Sequence, residues 1–444
     1  MSTNLVIVNG RIVNDGEIIE ADLLIKDGRI EKIGPHANSV GSTTILDAKG
    51  AWVLPGMIDD QVHFREPGLT NKGDMATESA AAVAGGITSF MEMPNVKPPT
   101  TDLDALEDKY ARAAGRARAN YAFYLGATND NIDQIRSVRP GQACGIKVFM
   151  GASTGAMLVD DEQVLEGIFA DSPLLIATHC EDTPMIKANE DAARAKYGED
   201  VPMAEHPRIR SEEACYKSSS LAVELAQRHD SRLHVLHLTT AKELELFKPG
   251  PASDKRITVE ACVHHLFFDE SDYGKLGAGI KCNPAIKKAS DREALIAAVA
   301  NDLIDVIATD HAPHTAEEKA QSYFKSPAGL PLVQHALLMV LEHVHAGRFP
   351  ITQAVRKTSH SVADVFGVQE RGYIREGYFA DLVLVDPDRP TRVSSDNVLY
   401  KCGWSPLEGY EFRSSIRATI VNGQLAWLDG QLTSAILGRR LAFG

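Results

Sequence analysis

The sequence predicts an α/β fold, a parallel (β/α)8 barrel, with a small β-domain made from both ends of the chain. Short apolar segments alternate with amphipathic ones through the middle of the chain, which is the pattern of repeated βα units. Polar residues follow at least five of the apolar segments. A barrel brings all such strand ends to one face, so it is favoured over an open doubly wound sheet, the alternative fold.

Both ends of the chain contain short alternating strands separated by tight-turn dipeptides. Asn-Gly and Asp-Gly pairs predict two-residue hairpin turns. They stand at Asn9-Gly10, Asp15-Gly16, Asp27-Gly28, Asn422-Gly423 and Asp429-Gly430. The predicted strands are 5–8, 12–13, 21–25, 29–33, 381–385, 416–421 and 425–428. Neither end has enough strands to bury a face alone, so segments 1–54 and 371–444 are expected to form one β-sandwich domain. Two independent hairpins are the alternative.

The central segment, 55–370, is predicted to be the catalytic barrel. Eight strand-like runs fall at 52–62, 88–93, 121–126, 145–150, 174–179, 233–238, 258–263 and 305–309. Segments with helical spacing lie between them, among them 74–84, 102–119, 212–228 and 291–301. Two further helices, 330–345 and 352–366, are expected to close the barrel before the chain returns to the β-domain.

Composition excludes several classes of function. The chain of 444 residues has 46 Lys and Arg against 60 Asp and Glu, a net charge of −14, and it has no basic run for nucleic acid. The six cysteines show no paired spacing, which indicates reduced thiols and a cytoplasmic protein. No apolar stretch reaches membrane-spanning length. We expect a small-molecule substrate and a homo-oligomer, in the simplest case a dimer.

Three histidines close apolar segments. His63, His179 and His237 each end a predicted strand, and three imidazoles at one barrel mouth suit zinc. Any one of them alone is more often an ordinary histidine of the mouth. His234 lies three residues before His237 and is therefore expected to point to the other side of the strand, as a packing residue.

A lysine, Lys147, stands inside the apolar run 145–150. Lysine is rarely buried without a partner. One interpretation is a salt bridge, or a side chain that reaches the rim. The other is that burial lowers its pKa, so that the neutral amine takes up carbon dioxide and the carbamate bridges two metal ions. The residues alone leave both interpretations open.

Asp310 ends the eighth predicted strand, in the run Thr309-Asp310-His311-Ala312-Pro313-His314. A carboxylate there can ligate metal, take a proton from water and deliver it to a departing nitrogen. The alternative is a helix cap followed by a turn. We favour catalysis because Asp310 lies in register with the other candidate ligands, and His314 is a further candidate for contact with the substrate.

Several motifs together resemble the dihydroorotases of the amidohydrolase superfamily, over nearly the whole chain. They are Pro55-Gly56-Met57-Ile58-Asp59, Val62-His63-Phe64-Arg65-Glu66-Pro67-Gly68, Met93-Pro94-Asn95, the Lys147 strand, His179-Cys180-Glu181, Lys281-Cys282-Asn283-Pro284 and the Asp310 run. The resemblance implies a barrel of amidohydrolase type and one or two zinc ions held by His63, carboxylated Lys147, His179, His237 and Asp310. It also implies Asp310 as the general acid and base, and Arg65, Asn95 and Asn283 around the substrate.

Gln61 departs from the family pattern, which has a histidine at this position. A carboxamide oxygen is a poorer zinc ligand than imidazole. Gln61 therefore ligates weakly and leaves one labile ion, or the site is mononuclear, or the chain is a weak or non-catalytic relative that acts as a subunit. We rank the last alternative lowest because the other site residues all remain.

Arg65 and Asn283 bear on the substrate. A guanidinium gives a carboxylate a bidentate partner, which suits dihydroorotate. The similar allantoinases and hydantoinases lack this arginine and this asparagine. The expected reaction is the reversible cyclisation of N-carbamoyl-L-aspartate in pyrimidine biosynthesis. A rim salt bridge from Arg65 to Glu66 or Asp74 is the alternative.

Overall fold

The computed structural model describes residues 4–35, 43–151 and 157–444, in which strands and helices alternate along the chain. The strands are β1 Asn4–Asn14, β2 Glu17–Lys26, β3 Arg29–Gly34, β4 Thr43–Asp47, β5 Trp52–Pro55, β6 Met57–Val62, β7 Ile87–Glu92, β8 Asn120–Phe123, β9 Leu125–Gly126, β10 Ile146–Phe149, β11 Ile176–His179, β12 Leu233–Val235, β13 Ile257–Cys262, β14 Val306–Ala308, β15 Leu382–Asp386, β16 Thr391–Arg392, β17 Glu411–Phe412, β18 Ser415–Val421, β19 Gln424–Leu428 and β20 Gln431–Leu432.

The α-helices lie mainly between the barrel strands and after them. They are α1 Met75–Ala84, α2 Leu103–Ala113, α3 Ile132–Ser137, α4 Glu162–Asp171, α5 Thr183–Tyr197, α6 His206–Ile209, α7 Glu212–His229, α8 Val263–Phe267, α9 Tyr273–Leu276, α10 Ala289–Ala300, α11 Ala316–Lys319, α12 Ala336–His345, α13 Ile351–Val355 and α14 Ser361–Phe366. Within the described residues, no helix is long and apolar enough to cross a membrane.

Both ends of the chain contribute to one nine-stranded sheet, as predicted. Its order is β20-β19-β18-β15-β5-β1-β2-β3, and β4 pairs with β1. Strand β15 lies antiparallel to β5, so this pairing joins the two ends of the chain. The two ends also share one core, to which Ile7 and Leu23 contribute from the N-terminal side and Leu384 and Ile420 from the C-terminal side.

Four of the five predicted turns are tight hairpins. The pairs beginning at Asp15, Asp27, Asn422 and Asp429 connect antiparallel neighbours and have positive φ at both positions, as hairpin turns of this kind require. The prediction at Asn9-Gly10 was wrong. There β1 continues through an irregularity in its pairing with β2, so the predicted strands 5–8 and 12–13 are one strand.

The barrel strands form two parallel arcs. One has the order β6-β7-β8, and the other has the order β14-β13-β12-β11-β10-β9. The arcs meet at Tyr124, which separates β8 from β9, and the predicted strand 121–126 is interrupted there. They meet again where Val62 bridges His311 just beyond β14. Counted with β8 and β9 as one interrupted strand, the eight barrel strands therefore carry their carboxyl ends to one face.

The predicted first strand, 52–62, is two strands that belong to different sheets. Strand β5 pairs with β1 and β15 in the end sheet, whereas β6 pairs with β7 in the barrel. The chain changes sheet at Gly56, where an added Cβ would lie 2.2 Å from the Thr88 side chain. Only glycine permits this approach, and the apolar run shows no break because both strands are buried.

Two predicted helices also differ in extent. The segment predicted as 330–345 becomes helical only at Ala336. The segment predicted as 352–366 begins as α13, widens into a π-helix at Arg356–His360 and ends as α14. The apolar spacing of the sequence does not distinguish this wider turn from a regular helix.

Candidate active site

A cavity of about 100 Å³ lies at the carboxyl ends of the barrel strands. It is lined by Gln61, His63, Arg65, Asn95, Lys147, Phe149, His179, His237, Asn283, Asp310, Ala312, Ala328 and Gly329. All the residues proposed from the sequence therefore surround it, with the exception of His314. The fold gathers them from strands β6, β10 and β11 and from the segments that follow β6, β7, β12, β13 and β14.

Backbone geometry helps to aim three of these side chains. Arg65, His237 and Asp310 have φ angles of 71°, 41° and 48°, in the left-handed region that residues other than glycine rarely adopt. Each lies two or three residues beyond the end of its strand. Such strain persists where the surrounding structure holds the residue, and it is concentrated at functional sites.

His179 is held in one tautomer by a carboxylate. Its Nε2 donates to Glu181 Oε2 at 2.8 Å, and Arg210 donates to the same oxygen at 2.6 Å. Although burial disfavours the charged form, Arg210 and His179 lower the pKa of Glu181 to about 2, so it is ionised and can only accept. The Nδ1 lone pair of His179 therefore points into the site, 2.9 Å from His237 Nε2.

Burial lowers the pKa of both histidines, and the pKa of His237 lies well below its ordinary value. Neutral imidazoles can act as metal ligands. The sequence predicts no role for Glu181, although it belongs to the His179 motif. Glu181 lies two residues after a strand-end histidine, and this spacing could have identified it as a partner of His179. Nothing in the sequence identifies Arg210.

Lys147 lies in the middle of β10 and is 1% exposed. Among the described residues its ammonium has no hydrogen bond or ion pair, and its Nζ lies 4.6 Å from the centre of the Phe149 ring. The salt bridge considered above is thus not found in that part of the chain. Burial lowers the pKa of Lys147 to about 8, which brings the neutral amine within reach near physiological pH.

His63 faces Asp310 across the other side of the cavity. Its Nδ1 donates to Asn95 Oδ1 at 2.7 Å, which leaves the Nε2 lone pair 3.1 Å from Asp310 Oδ1. Burial lowers the pKa of His63. Burial raises the pKa of Asp310 as well, but its neighbours, of which His63 has the largest effect, hold the pKa below the ordinary value.

The amide of Gln61 forms hydrogen bonds with neighbouring side chains. Its Nε2 donates to Asp310 Oδ1 at 3.1 Å, and its Oε1 lies 3.7 Å from the Cys262 thiol. A histidine at this position would present a lone pair to the cavity, whereas Gln61 presents N–H donors to the carboxylate. The side chain therefore stabilises ionised Asp310 without taking the place of a metal ligand.

The donor set fits zinc. On one side, the His179 lone pair and His237 Nε2 converge near Lys147, which is unpaired among the residues that the structure describes. On the other, a neutral imidazole nitrogen and a carboxylate oxygen, both acceptors, face each other. Acceptors this close need a proton or a cation between them, and neutral imidazole and carboxylate are zinc ligands.

Arg65 is buried without an acidic partner among the described residues. Its Nε donates to the Pro313 carbonyl at 3.0 Å. The carboxylates considered above are paired elsewhere, since Glu66 binds Arg116 and Asp74 binds Lys401. Burial lowers the pKa of Arg65 to about 10, so it remains charged at neutral pH.

His314 lies behind Arg65, outside the cavity lining. Lys72 donates to its Nδ1 at 3.0 Å, and its Nε2 lies 3.0 Å from both the Ala328 carbonyl and Arg65 Nη2. Burial and the nearby cations lower the pKa of His314 far below its ordinary value, so it is neutral. Because Lys72 can only donate, Nε2 carries the proton and donates to Ala328. The two Nη groups of Arg65 thus have no acceptor among the described residues and can donate to a ligand.

Asn283 completes this side of the cavity. Its Oδ1 is buried and has no hydrogen-bond partner among the residues that the structure describes. Buried polar atoms are nearly always paired, so this orphan acceptor indicates a bound group. Arg65 and Asn283 together offer donors and an acceptor to a ligand that carries a carboxylate beside an N–H group.

Comparison with known proteins gives concordant matches. The model of the amidohydrolase family matches residues 52–426. A dihydroorotase of Halobacterium salinarum is 34% identical over 430 residues, which cover 95% of this chain and 98% of the relative. An allantoinase of Bacillus velezensis is 29% identical over 97% of this chain and 95% of its own length. The solved structure of an L-hydantoinase (dihydropyrimidinase) from Arthrobacter aurescens superposes with a TM-score of 0.93, at 28% identity over 100% of both chains.

Proposed function

The chain belongs to the amidohydrolase family, and we propose that it is a zinc-dependent dihydroorotase, which interconverts L-dihydroorotate and N-carbamoyl-L-aspartate. The observation that carries this proposal is the buried guanidinium of Arg65, which faces the cavity with free donors and without a carboxylate among the described residues. A charge buried in this way needs an anionic partner, and dihydroorotate carries a carboxylate beside its ring. The relatives named dihydroorotase support the same substrate.

Lys147, His179 and His237 would hold zinc most firmly, with His63 and Asp310 on its other side. Zinc bound there would supply Lewis acidity at the ring carbonyl and lower the pKa of the attacking water. Asp310 takes the proton from that water as the oxygen adds to the carbonyl. As the C–N bond of the ring amide breaks, Asp310 gives the proton to the departing nitrogen. The reverse sequence closes the ring, a step of pyrimidine biosynthesis.

The second candidate is an allantoinase or hydantoinase. Relatives named allantoinase match almost the whole chain, and the L-hydantoinase structure superposes over its full length. Hydantoin and allantoin have no carboxylate and would leave Arg65 unpaired in the occupied site. The third candidate, a non-catalytic subunit, is disfavoured because the donor set is complete at every position except Gln61.

A turnover assay on zinc-replete protein separates the three candidates. We expect kcat/KM for L-dihydroorotate to exceed that for allantoin and for hydantoin by roughly two powers of ten or more, the contribution of one buried ion pair. A higher kcat/KM for either neutral substrate would assign that substrate class instead. Absence of turnover with all three substrates would leave the subunit interpretation.

A further inference from the structure

Three ionisable side chains that the proposed reaction does not use meet inside the barrel. Asp60 lies on β6, His234 on β12 and Glu260 on β13, and all three are fully buried. His234 Nε2 lies 3.2 Å from Asp60 Oδ2 and 3.8 Å from Glu260 Oε2. His234 was expected to be a packing residue. Instead, it is buried among carboxylates.

The polar atoms of this cluster lack hydrogen-bond partners. Both oxygens of Asp60, Oε2 of Glu260 and Nε2 of His234 have none within the described part of the chain. The neighbouring carboxylate, Asp59, shows what is normal here, because it accepts hydrogen bonds from the backbone and the hydroxyl of Thr309. Orphan atoms from three buried residues that lie within 4.8 Å of one another indicate a ligand among them.

The hydrogen bonds of His234 determine what it presents to the cluster. The Thr258 hydroxyl donates its proton to the Leu233 carbonyl, so it accepts from His234 Nδ1, 2.8 Å away. The Nε2 lone pair of the neutral imidazole then points at the two carboxylates. With the imidazole neutral, three groups that can only accept converge, and a bound cation resolves the repulsion between them. A histidine that ligates metal typically donates its other N–H in this way.

We infer that Asp60, His234 and Glu260 bind a structural divalent ion of the zinc class, separate from the catalytic metal. The donor atoms all lie within 4.8 Å of one another. Bonds of about 2.1 Å at a tetrahedral angle separate donor atoms by roughly 3.4 Å, between the two observed distances. One imidazole and two carboxylates form a donor set that zinc accepts.

The ion would brace the candidate active site through Glu260. The other oxygen of this carboxylate, Oε1, accepts from the backbone N–H of His237 at 3.0 Å. Fixing Glu260 therefore fixes the strained backbone of a catalytic-site ligand. Protons compete with the metal ion for this cluster. Burial lowers the pKa of His234, but the two carboxylates raise it to about 9, so without a metal ion the imidazole is protonated near neutral pH.

The test counts zinc in protein that lacks the catalytic ion. The double variant Lys147→Ala, His179→Ala removes ligands of that ion. After equilibration with ZnCl₂ and dialysis, we expect it to retain one zinc per chain by elemental analysis. Adding Asp60→Asn or Glu260→Gln should lower this content at least roughly tenfold. Adding Glu243→Gln, an isosteric change at a buried glutamate bonded to Ser219 and Thr240, should leave it unchanged.

Retention of no zinc by the double variant would overturn the inference, and so would equal zinc content with and without Asp60→Asn. Anomalous diffraction at the zinc edge from wild-type crystals grown with ZnCl₂ does not depend on the folding of any variant. A peak among Asp60, His234 and Glu260 supports the site. Its absence would show that the cluster is neutralised by protons alone.

Discussion

The two sides of the candidate active site satisfy their polar atoms in different ways. On the side formed by Lys147, His179 and His237, an outer carboxylate fixes one imidazole, and the lysine has no partner among the described residues. On the side formed by Gln61, His63 and Asp310, the amide of Gln61 donates to the carboxylate oxygen that the Nε2 lone pair of His63 also faces. The first side needs an ion, whereas the second is partly satisfied by the amide of Gln61.

This difference bears on how Gln61 would change the proposed metal site. An amide in place of an imidazole removes a lone pair and adds a hydrogen-bond donor to Asp310. The carboxylate keeps its ionised state, which its proposed role as a base requires. We therefore expect the substitution to lower the occupancy of one ion and to leave the proton transfer in place.

The largest effect is expected from Lys147→Ala, which breaks the side that needs an ion. Metal content should fall by one equivalent per chain, and turnover should fall by at least roughly three powers of ten, because a catalytic metal contributes several kcal/mol. Elemental analysis and the dihydroorotate assay measure the two losses. Lys147→Arg, which keeps the charge but cannot carry a carbamate, should behave in the same way, and added short carboxylic acids should partly rescue only the alanine variant. Full activity in Lys147→Arg would show that no carbamate is needed.

Arg65→Met tests the substrate rather than the metal. Loss of one partner of a desolvated ion pair costs ~3–5 kcal/mol, so kcat/KM for dihydroorotate should fall by roughly two to four powers of ten. Zinc content should not change, because the guanidinium is not a ligand. Arg65→Lys keeps the charge but cannot make two parallel hydrogen bonds to a carboxylate, so its kcat/KM should lie between those of the wild-type protein and Arg65→Met. Wild-type kinetics in Arg65→Met would remove the main physical support for this substrate.

Glu181→Gln weakens the first side from outside. A neutral amide no longer fixes the tautomer of His179 by charge, and removal of such a partner typically costs 10–100-fold in metal affinity. Competition with a chelator measures the affinity. The matched control is again Glu243→Gln, which should have no effect. An unchanged affinity in Glu181→Gln would mean that Glu181 serves only to pair with Arg210.

Gln61→His should make the Gln61 side of the site a metal-binding side like the Lys147 side. Among these variants it has the smallest expected effect on turnover. It restores a lone pair beside His63, so metal content should rise by as much as one equivalent above that of the wild-type protein. Gln61→Leu, which removes the hydrogen bond to Asp310 without supplying a ligand, controls for the loss of the amide. Equal metal content in the wild-type and Gln61→His proteins would contradict the idea that Gln61 limits occupancy.

Much of the architecture depends on residues that are close together in the sequence and could therefore be predicted from it. Apolar spacing identified the βα alternation, and the turn dipeptides at Asp15, Asp27, Asn422 and Asp429 gave correct hairpins because their positive φ angles are a property of a few adjacent residues. The strand-end positions of His63, His179 and Asp310 followed from the same spacing, since a parallel barrel gathers such ends at one mouth.

Apolar spacing and turn chemistry act over short distances, so they predicted the fold class and the strand-end candidates, whereas the family resemblance supplied Arg65, Asn95 and Asn283. What these residues contact is settled by the folded chain. The bond from Gln61 to Asp310 spans 249 positions, and the bond from Arg210 to Glu181 spans 29. The change of sheet at Gly56 and the meeting of Asp60 with His234 and Glu260 also depend on neighbours from distant strands. The pairing of buried polar groups therefore depends on tertiary packing, and it cannot be predicted from the local sequence pattern.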